Sequence, residues 1–143
     1  MKMIIGGAHQ GQFEWAQNVY NITWMDGADC EFEEIRTCQG IQNFQLYIRR
    51  LLRAEWNGGI QKSDKQKAGK QEIHEISTET LAQVIKIENP DLHIVSDEIG
   101  YGLVPVDAFD RAYRETTGRI CTELAAASEE VVRVVMGIGM QIK

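Results

Sequence analysis

Residues 3–16 read MIIGGAHQGQFEWA, an apolar run followed by a glycine-rich turn and the start of a helix. That order is the opening βα unit of a parallel sheet, and it narrows the architectures open to the chain more than any other segment. Gly6, Gly7 and Gly11 fall where a phosphate-binding loop of the form G-x-x-x-x-G-K-[ST] keeps its glycines. The lysine position of that pattern is Gln12 and the hydroxyl position is Phe13. In a working loop, successive backbone N–H groups surround the phosphates and the helix N-terminus adds positive potential. The lysine reaches the outer phosphates and the hydroxyl holds magnesium. Here Gly6, Gly7, Ala8, His9, Gln10, Gly11, Gln12 and Phe13 keep the frame of a nucleotide site without those two side chains. His9 brings a partial charge, but at a different position. A plain tight βα turn has the same sequence appearance.

The length and bulk composition fit one soluble globular domain spanning residues 1–143, with 43% apolar and 25% charged residues. A net charge of −6 gives no support to a nucleic-acid-binding surface. No apolar run approaches the roughly 18 residues of a membrane span, and no secretory signal is recognisable. Cys30, Cys38 and Cys121 are odd in number and far apart, without a C-x-x-C pair. They argue against a disulfide framework or a zinc site and for a reducing, cytoplasmic setting.

Along the chain, Met3–Ile5 is expected as a buried strand and Gln12–Tyr20 as the first helix. Ile22–Met25 reads as a second strand, closed by the Asp26-Gly27 turn. Residues 30–35 are ambiguous. Ile41, Phe44, Ile48, Leu51 and Leu52 fall at helical spacing, which predicts a helix from Ile41 to about Glu55, ended by Asn57-Gly58-Gly59. Residues 61–72, QKSDKQKAGKQE, hold four lysines and almost nothing apolar, so 57–72 is expected as a mobile loop. Ser77 or Thr78 is expected to cap a helix carrying Leu81, Val84 and Ile85 and stopping before Pro90. Leu92–Val95 reads as a strand, with Asp97 and Glu98 at its carboxyl end. Asp107 is placed to cap a long helix to about Ala127. Val131–Met136 is the next strand and Met140–Lys143 a final edge. Strands alternating with helices predict an α/β fold, a mostly parallel sheet with helices on both faces.

The run HIVSDEIGYGLVP, residues 93–105, carries a second constellation. An apolar strand ending in acids at the carboxyl edge of a parallel sheet is where a magnesium-directing carboxylate belongs, so Asp97 and Glu98 are candidate metal ligands. Solvated loop carboxylates are the alternative.

VSDEIGYGLVPVDAFDRAYRETTGR, residues 95–119, and ELAAASEEVVRVVMGIGMQIK, residues 123–143, resemble the bifunctional adenosylcobinamide kinase / adenosylcobinamide-phosphate guanylyltransferase family of cobalamin biosynthesis. The family's V-S-N-E-V-G-x-G-I-V-P stretch, its F-R-D-x-x-G-R-like helix and its V-V-x-V-V-x-G strand correspond to these segments. Its G-G-A-x-x-G, usually followed by K-S, aligns with Gly6, Gly7, Ala8 and Gly11. The resemblance is specific over roughly the last 50 residues, moderate over the first 20, and poor between about 21 and 77.

The resemblance implies a P-loop NTPase-like fold and homo-oligomeric, threefold assembly. It implies GTP or ATP with magnesium as cofactors and a corrinoid, cobinamide, as substrate. Members phosphorylate the corrinoid's aminopropanol side chain, then transfer GMP through a guanylylated histidine. Glu98 matches the strand-end glutamate, a magnesium or nucleotide-site carboxylate, while Asp97 replaces an asparagine. Arg114 and Arg119 match arginines of the long helix that serve phosphates or subunit contacts. The departures are Gln12, Phe13 and the histidine-bearing segment, which is shortened or missing. His74 stands in QEIHEIS with no motif around it, and His93 alternates with apolar neighbours as packed residues do. Trp15, Trp24 and Trp56 read as packing aromatics and Cys121 as inert core. The expectation is a kinase/guanylyltransferase-like protein with weak or absent turnover, or a non-catalytic binding or assembly relative.

Overall fold

A computed structural model describes residues 1–58 and 76–143. Six strands form one sheet in the order β2-β3-β4-β1-β5-β6. They are β1 (Lys2–Gly6), β2 (Trp24–Asp26), β3 (Gly40–Gln42), β4 (His93–Asp97), β5 (Glu130–Val135) and β6 (Ile138–Gln141). All pairings are parallel except β5 with β6. The helices are α1 (Gln12–Val19), α2 (Phe32–Ile35), α3 (Phe44–Gly58), α4 (Leu81–Glu88) and α5 (Ala108–Ala127).

Register explains the two-sided core. Met3 lies opposite Ile94 and Val131, and Ile4 lies opposite Val95 and Val132. Side chains alternate faces along a strand, so cross-strand partners share a face. Met3, Ile94 and Val131 pack with Phe44 and Ile48 of α3, Leu81 and Ile85 of α4, and Ile120 and Leu124 of α5. Ile4, Val95, Val132 and Val134 pack on the opposite face with Ala16 of α1, joined by Phe13, Trp15, Tyr20 and Trp24. Helices on both faces of a mostly parallel sheet are what the strand–helix alternation predicted.

Several local expectations are corrected. Ile41 belongs to β3, not to the helix, which begins at Phe44. Its spacing to Phe44 and Ile48 mimics a helical face, but Asn43 takes φ 52° and separates strand from helix. Gly40 permits β3 to run beneath Trp24, because a Cβ there would stand 2.6 Å from the indole ring. Residues 57 and 58 continue α3; the rest of the expected 57–72 loop, and His74, lie outside the described residues. The ambiguous 30–35 segment contains α2, opened by a capping box between Glu31 and Glu34. Helix α4 starts after Thr80 rather than after Ser77 or Thr78. Ser77 and Thr80 bond one another, while the Thr78 hydroxyl donates to Glu55 at 2.8 Å. Asp107 does cap α5, accepting the Asp110 N–H at 3.0 Å. The last edge is β6, turned back by Met136 and Gly137, both at positive φ as a tight hairpin requires. Among the described residues no helix is long and apolar enough to cross a membrane.

Phe44 is fully buried at the junction of β3 and α3. Phe44→Ala is expected to cost about 3–5 kcal/mol of unfolding free energy in urea titration. Ile87→Ala, at a position 78% exposed, is expected to change it by less than about 0.5 kcal/mol.

Candidate functional site

The parallel strands β4, β1 and β5 end together, and the loop between β1 and α1 lies across their carboxyl edge. Gly6 closes β1, and its carbonyl accepts the Glu98 N–H at 2.7 Å, tying the loop to the end of β4. A Cβ on Gly6 would stand 2.7 Å from the Val134 carbonyl oxygen, so this close approach needs glycine. His9 and Gly11 both take positive φ, at 61° and 79°. Gln10 fastens the loop to the β5–β6 hairpin. Its backbone carbonyl accepts the Gly137 N–H at 2.8 Å, and its side-chain Oε1 accepts the Met136 N–H at 2.9 Å.

Gln12, the first residue of α1, is buried. Its Nε2 donates to the Gly7 carbonyl at 3.2 Å and to Asp97 Oδ1. A neutral carboxamide thus bridges the glycine loop to the acid at the end of β4. The next residue turns away: the Phe13 ring meets Trp24 edge to face at 5.6 Å between centroids. The position that would carry a metal-binding hydroxyl is built into the apolar cluster under α1.

Asp97 also holds α3, its N–H donating to Gln45 Oε1 at 3.1 Å. Burial pushes its carboxyl above the ordinary 3.8, opposed by the Gln12 hydrogen bond and the charge of His9. His9, Gly11, Gln12, Asn43, Gln45 and Asp97 line a cavity of about 270 Å³. That is somewhat below the roughly 300–1,000 Å³ usual for small-molecule sites. A triphosphate entering it meets the Asp97 carboxylate, with a neutral amide at the position where a phosphate loop has its lysine, an unfavourable pairing.

Asp97 and Glu98 take different partners. Glu98 Oε2 accepts from Arg133 Nε at 3.2 Å and Nη2 at 3.0 Å, away from Gln12. Among the described residues no group of three or more His, Cys, Asp or Glu side chains is placed to hold a metal ion. Arg114 braces the segment after β4, donating to the carbonyls of Gly100, of Gly102 at 3.4 Å and of Leu103 at 3.3 Å. Arg119 is exposed on α5. Neither arginine lines the cavity beside the glycine loop.

Of the described histidines, His9 is exposed on the loop and His93 is packed edge-on against Tyr20, 4.8 Å between centroids, and against Trp24. Burial pushes the His93 pKa down. The cysteines are free, and burial pushes the Cys30 and Cys121 thiols up to about 11, which keeps them protonated. Trp56 packs on Phe109, and Trp15 on Tyr20.

Sequence reasoning did not find Gln45, Asn43 or Arg133. Arg133 had a signal: a charge inside the apolar strand EVVRVV needs a partner when the strand is buried on both faces. Gln45 had none, since its partner lies 52 residues away.

A parallel sheet with a glycine turn after its first strand, and an acid ending the adjacent strand, defines a P-loop-like α/β domain. The sequence pattern of the cobinamide kinase / cobinamide phosphate guanyltransferase family matches residues 41–142, and the chain belongs to that family. The match begins at β3 and leaves β1, the glycine loop and α1 outside it. Two curated relatives are the bifunctional adenosylcobalamin biosynthesis proteins CobU of Salmonella typhimurium (strain LT2) and Escherichia coli (strain K12). Each is 46% identical over 50 residues, covering 35% of this chain and 28% of the relative.

The raised Asp97 carboxyl has a signed consequence. A carboxyl whose folded-state pKa lies above its unfolded value contributes stability at low pH that is lost as pH rises through the folded value. In urea unfolding from pH 3 to 7, the wild type is expected to lose stability relative to Asp97→Asn as pH rises above about 3.8. A flat difference between the two proteins would place Asp97 in water rather than under Gln12.

Proposed function

We propose that this chain is a cobinamide kinase/guanylyltransferase-like protein of cobalamin biosynthesis in which phosphoryl and guanylyl transfer are weak or lost. Family membership supports the pathway. The observation that carries the loss is the bridge from Gln12 Nε2 to the Gly7 carbonyl and Asp97 Oδ1. A hydrogen bond to a charged group contributes roughly 1.5–3 kcal/mol, or about ten- to hundredfold in affinity. Replacing lysine by a carboxamide removes that contact from the outer phosphates, and Phe13 removes the magnesium hydroxyl as well. Phosphoryl transfer rests almost wholly on positioning and charge stabilisation, so both losses fall on the chemistry. GTP or ATP with magnesium, and a corrinoid acceptor, are the ligands the family points to. Within the loop, Gly6, Gly7, Ala8, His9, Gln10 and Gly11 would supply backbone contacts to phosphate. Asp97 or Glu98 would direct the metal, and Arg114 or Arg119 would serve phosphates or subunit contacts.

A second reading, a non-catalytic assembly partner, is favoured by the free edge of the sheet. Strand β6 and its flanks expose Met136 at 84%, Ile138 at 69%, Met140 at 50% and Ile142 at 59%. An apolar edge strand invites pairing with another chain, and this row fits a homo-oligomer.

Calorimetry with GTP or ATP and magnesium is expected to show no submillimolar binding to the wild type. The double variant Gln12→Lys, Phe13→Ser is expected to gain at least about tenfold in affinity if the loop backbone still forms an anion nest. Submillimolar binding by the wild type would refute the lost-cradle reading. Incubation with radiolabelled GTP is expected to leave no acid-labile label on the protein.

A further inference from the structure

Helix α3 turns a face of arginines toward the connection between β2 and α2. Leu46, Arg49, Arg50 and Arg53 stand at i, i+3, i+4 and i+7, the spacing of one helical stripe. With Ala28 they line a cavity of about 510 Å³, within the usual range for small-molecule sites. Among the described residues no carboxylate lines it. Asp29, next in the chain to Ala28, is exposed and outside the lining.

The three guanidiniums are held differently. Arg50 is fixed in the wall. Its Nη1 donates to the carbonyls of Cys30 at 2.7 Å and Gly27 at 3.3 Å, and its Nη2 reaches Glu31 at 3.3 Å. Arg49 meets Asp110 at 3.4 Å, with its guanidinium carbon 5.4 Å from the centre of the Tyr113 ring. Arg53 lies over the Phe109 ring at 3.4 Å and has no ion-pair partner among the described residues. Three positive charges thus meet two carboxylates, Glu31 and Asp110, both exposed. Exposed pairs of this kind contribute little and yield to a better-matched anion. A guanidinium carried on a ring face is oriented, while its N–H donors stay available for a two-point bond to an oxyanion. One such fork satisfies a carboxylate. Three around one cavity match a group with more oxygens and more charge. Pyrophosphate, with terminal oxygens at both ends, can engage all three at once. We propose that this cavity is an oxyanion site for a multiply charged inorganic phosphate, with Arg49 and Arg53 as its principal donors and Arg50 as the fixed wall. None of its residues lines the cavity beside the glycine loop, so the site stands apart from any nucleotide held there.

Pyrophosphate is the probe, titrated at constant ionic strength into the ¹⁵N-labelled full chain and followed by amide and arginine Nε–H shifts. Saturable shifts are expected at Leu46, Arg49, Arg50 and Arg53. Acetate is expected to bind at least about tenfold more weakly. Arg53→Gln is expected to weaken pyrophosphate about tenfold or more. Arg53→Lys, which keeps the charge without the fork, is expected to fall between Arg53→Gln and wild type. Asp110→Asn removes the carboxylate that competes for Arg49 and is expected to tighten binding about two- to threefold. Shifts centred on the glycine loop instead, shifts that sodium chloride reproduces, acetate binding as tight as pyrophosphate, unchanged affinity in Arg53→Gln, or weaker binding by Asp110→Asn would each overturn the assignment.

Discussion

The hydrogen bonds of the Gln12 carboxamide join three parts of the molecule that sequence keeps far apart. They link the glycine loop through Gly7, helix α1 through Gln12 itself, and the end of β4 through Asp97, 85 residues away. Asp97 in turn donates its backbone N–H to Gln45 Oε1 in the first turn of α3, so the bridge continues to the opposite face of the sheet. A carboxamide suits this role because it is neutral and can be buried with its polar atoms bonded. A lysine in its place would bring a full charge, useful only when phosphate or carboxylate balances it. The same substitution therefore strengthens the loop as architecture and weakens it as an anion site. Phe13 points the same way. Its ring completes an aromatic cluster with Trp24, which rests on the bare backbone of Gly40. Two adjacent positions that a phosphate loop reserves for chemistry have become packing and bracing.

What sequence made legible is what depends on near neighbours. The βα unit at the N-terminus, strand β4, the capped helix α5 and strand β5 follow from local periodicity and from single residues such as Asp107. The failures come from pairing over long separations. Strand β3 has only three residues, and its identity depends on neighbours β2 and β4 rather than on its own pattern. Ile41 consequently read as the start of the helical face that Phe44 and Ile48 continue. The Thr78 hydroxyl was free to cap a helix on paper; Glu55, on a different helix, claims it in the fold. Within the candidate site, the glycines and Asp97 were visible, but their clasp by Gln45 and the Gln10 link to the hairpin were not. Both join residues more than 50 positions apart.

The carboxyl edge of β4 divides into two environments because consecutive residues of a strand point to opposite sides. Asp97 ends β4 on the α1 side, under Gln12, while Glu98 turns to Arg133 of β5. This separation follows from the parallel register that sets Gly6 between Asp97 and Val134. One strand end thus borders two cavities of different character. The smaller is polar, with a carboxylate and amides in its wall, and its chemistry depends on charge that Gln12 does not supply. The larger has aliphatic side chains from β1 and α5 on one wall, with Asp97, Glu98 and Arg114 among its other lining residues. Gln12 and Phe13 line the first and not the second, which Gln12 reaches only through its bond to Asp97. The family pattern, which begins at β3, spans β4 and α5 but not the glycine loop. Two neighbouring cavities on one sheet edge are thus built from different elements and meet at Asp97.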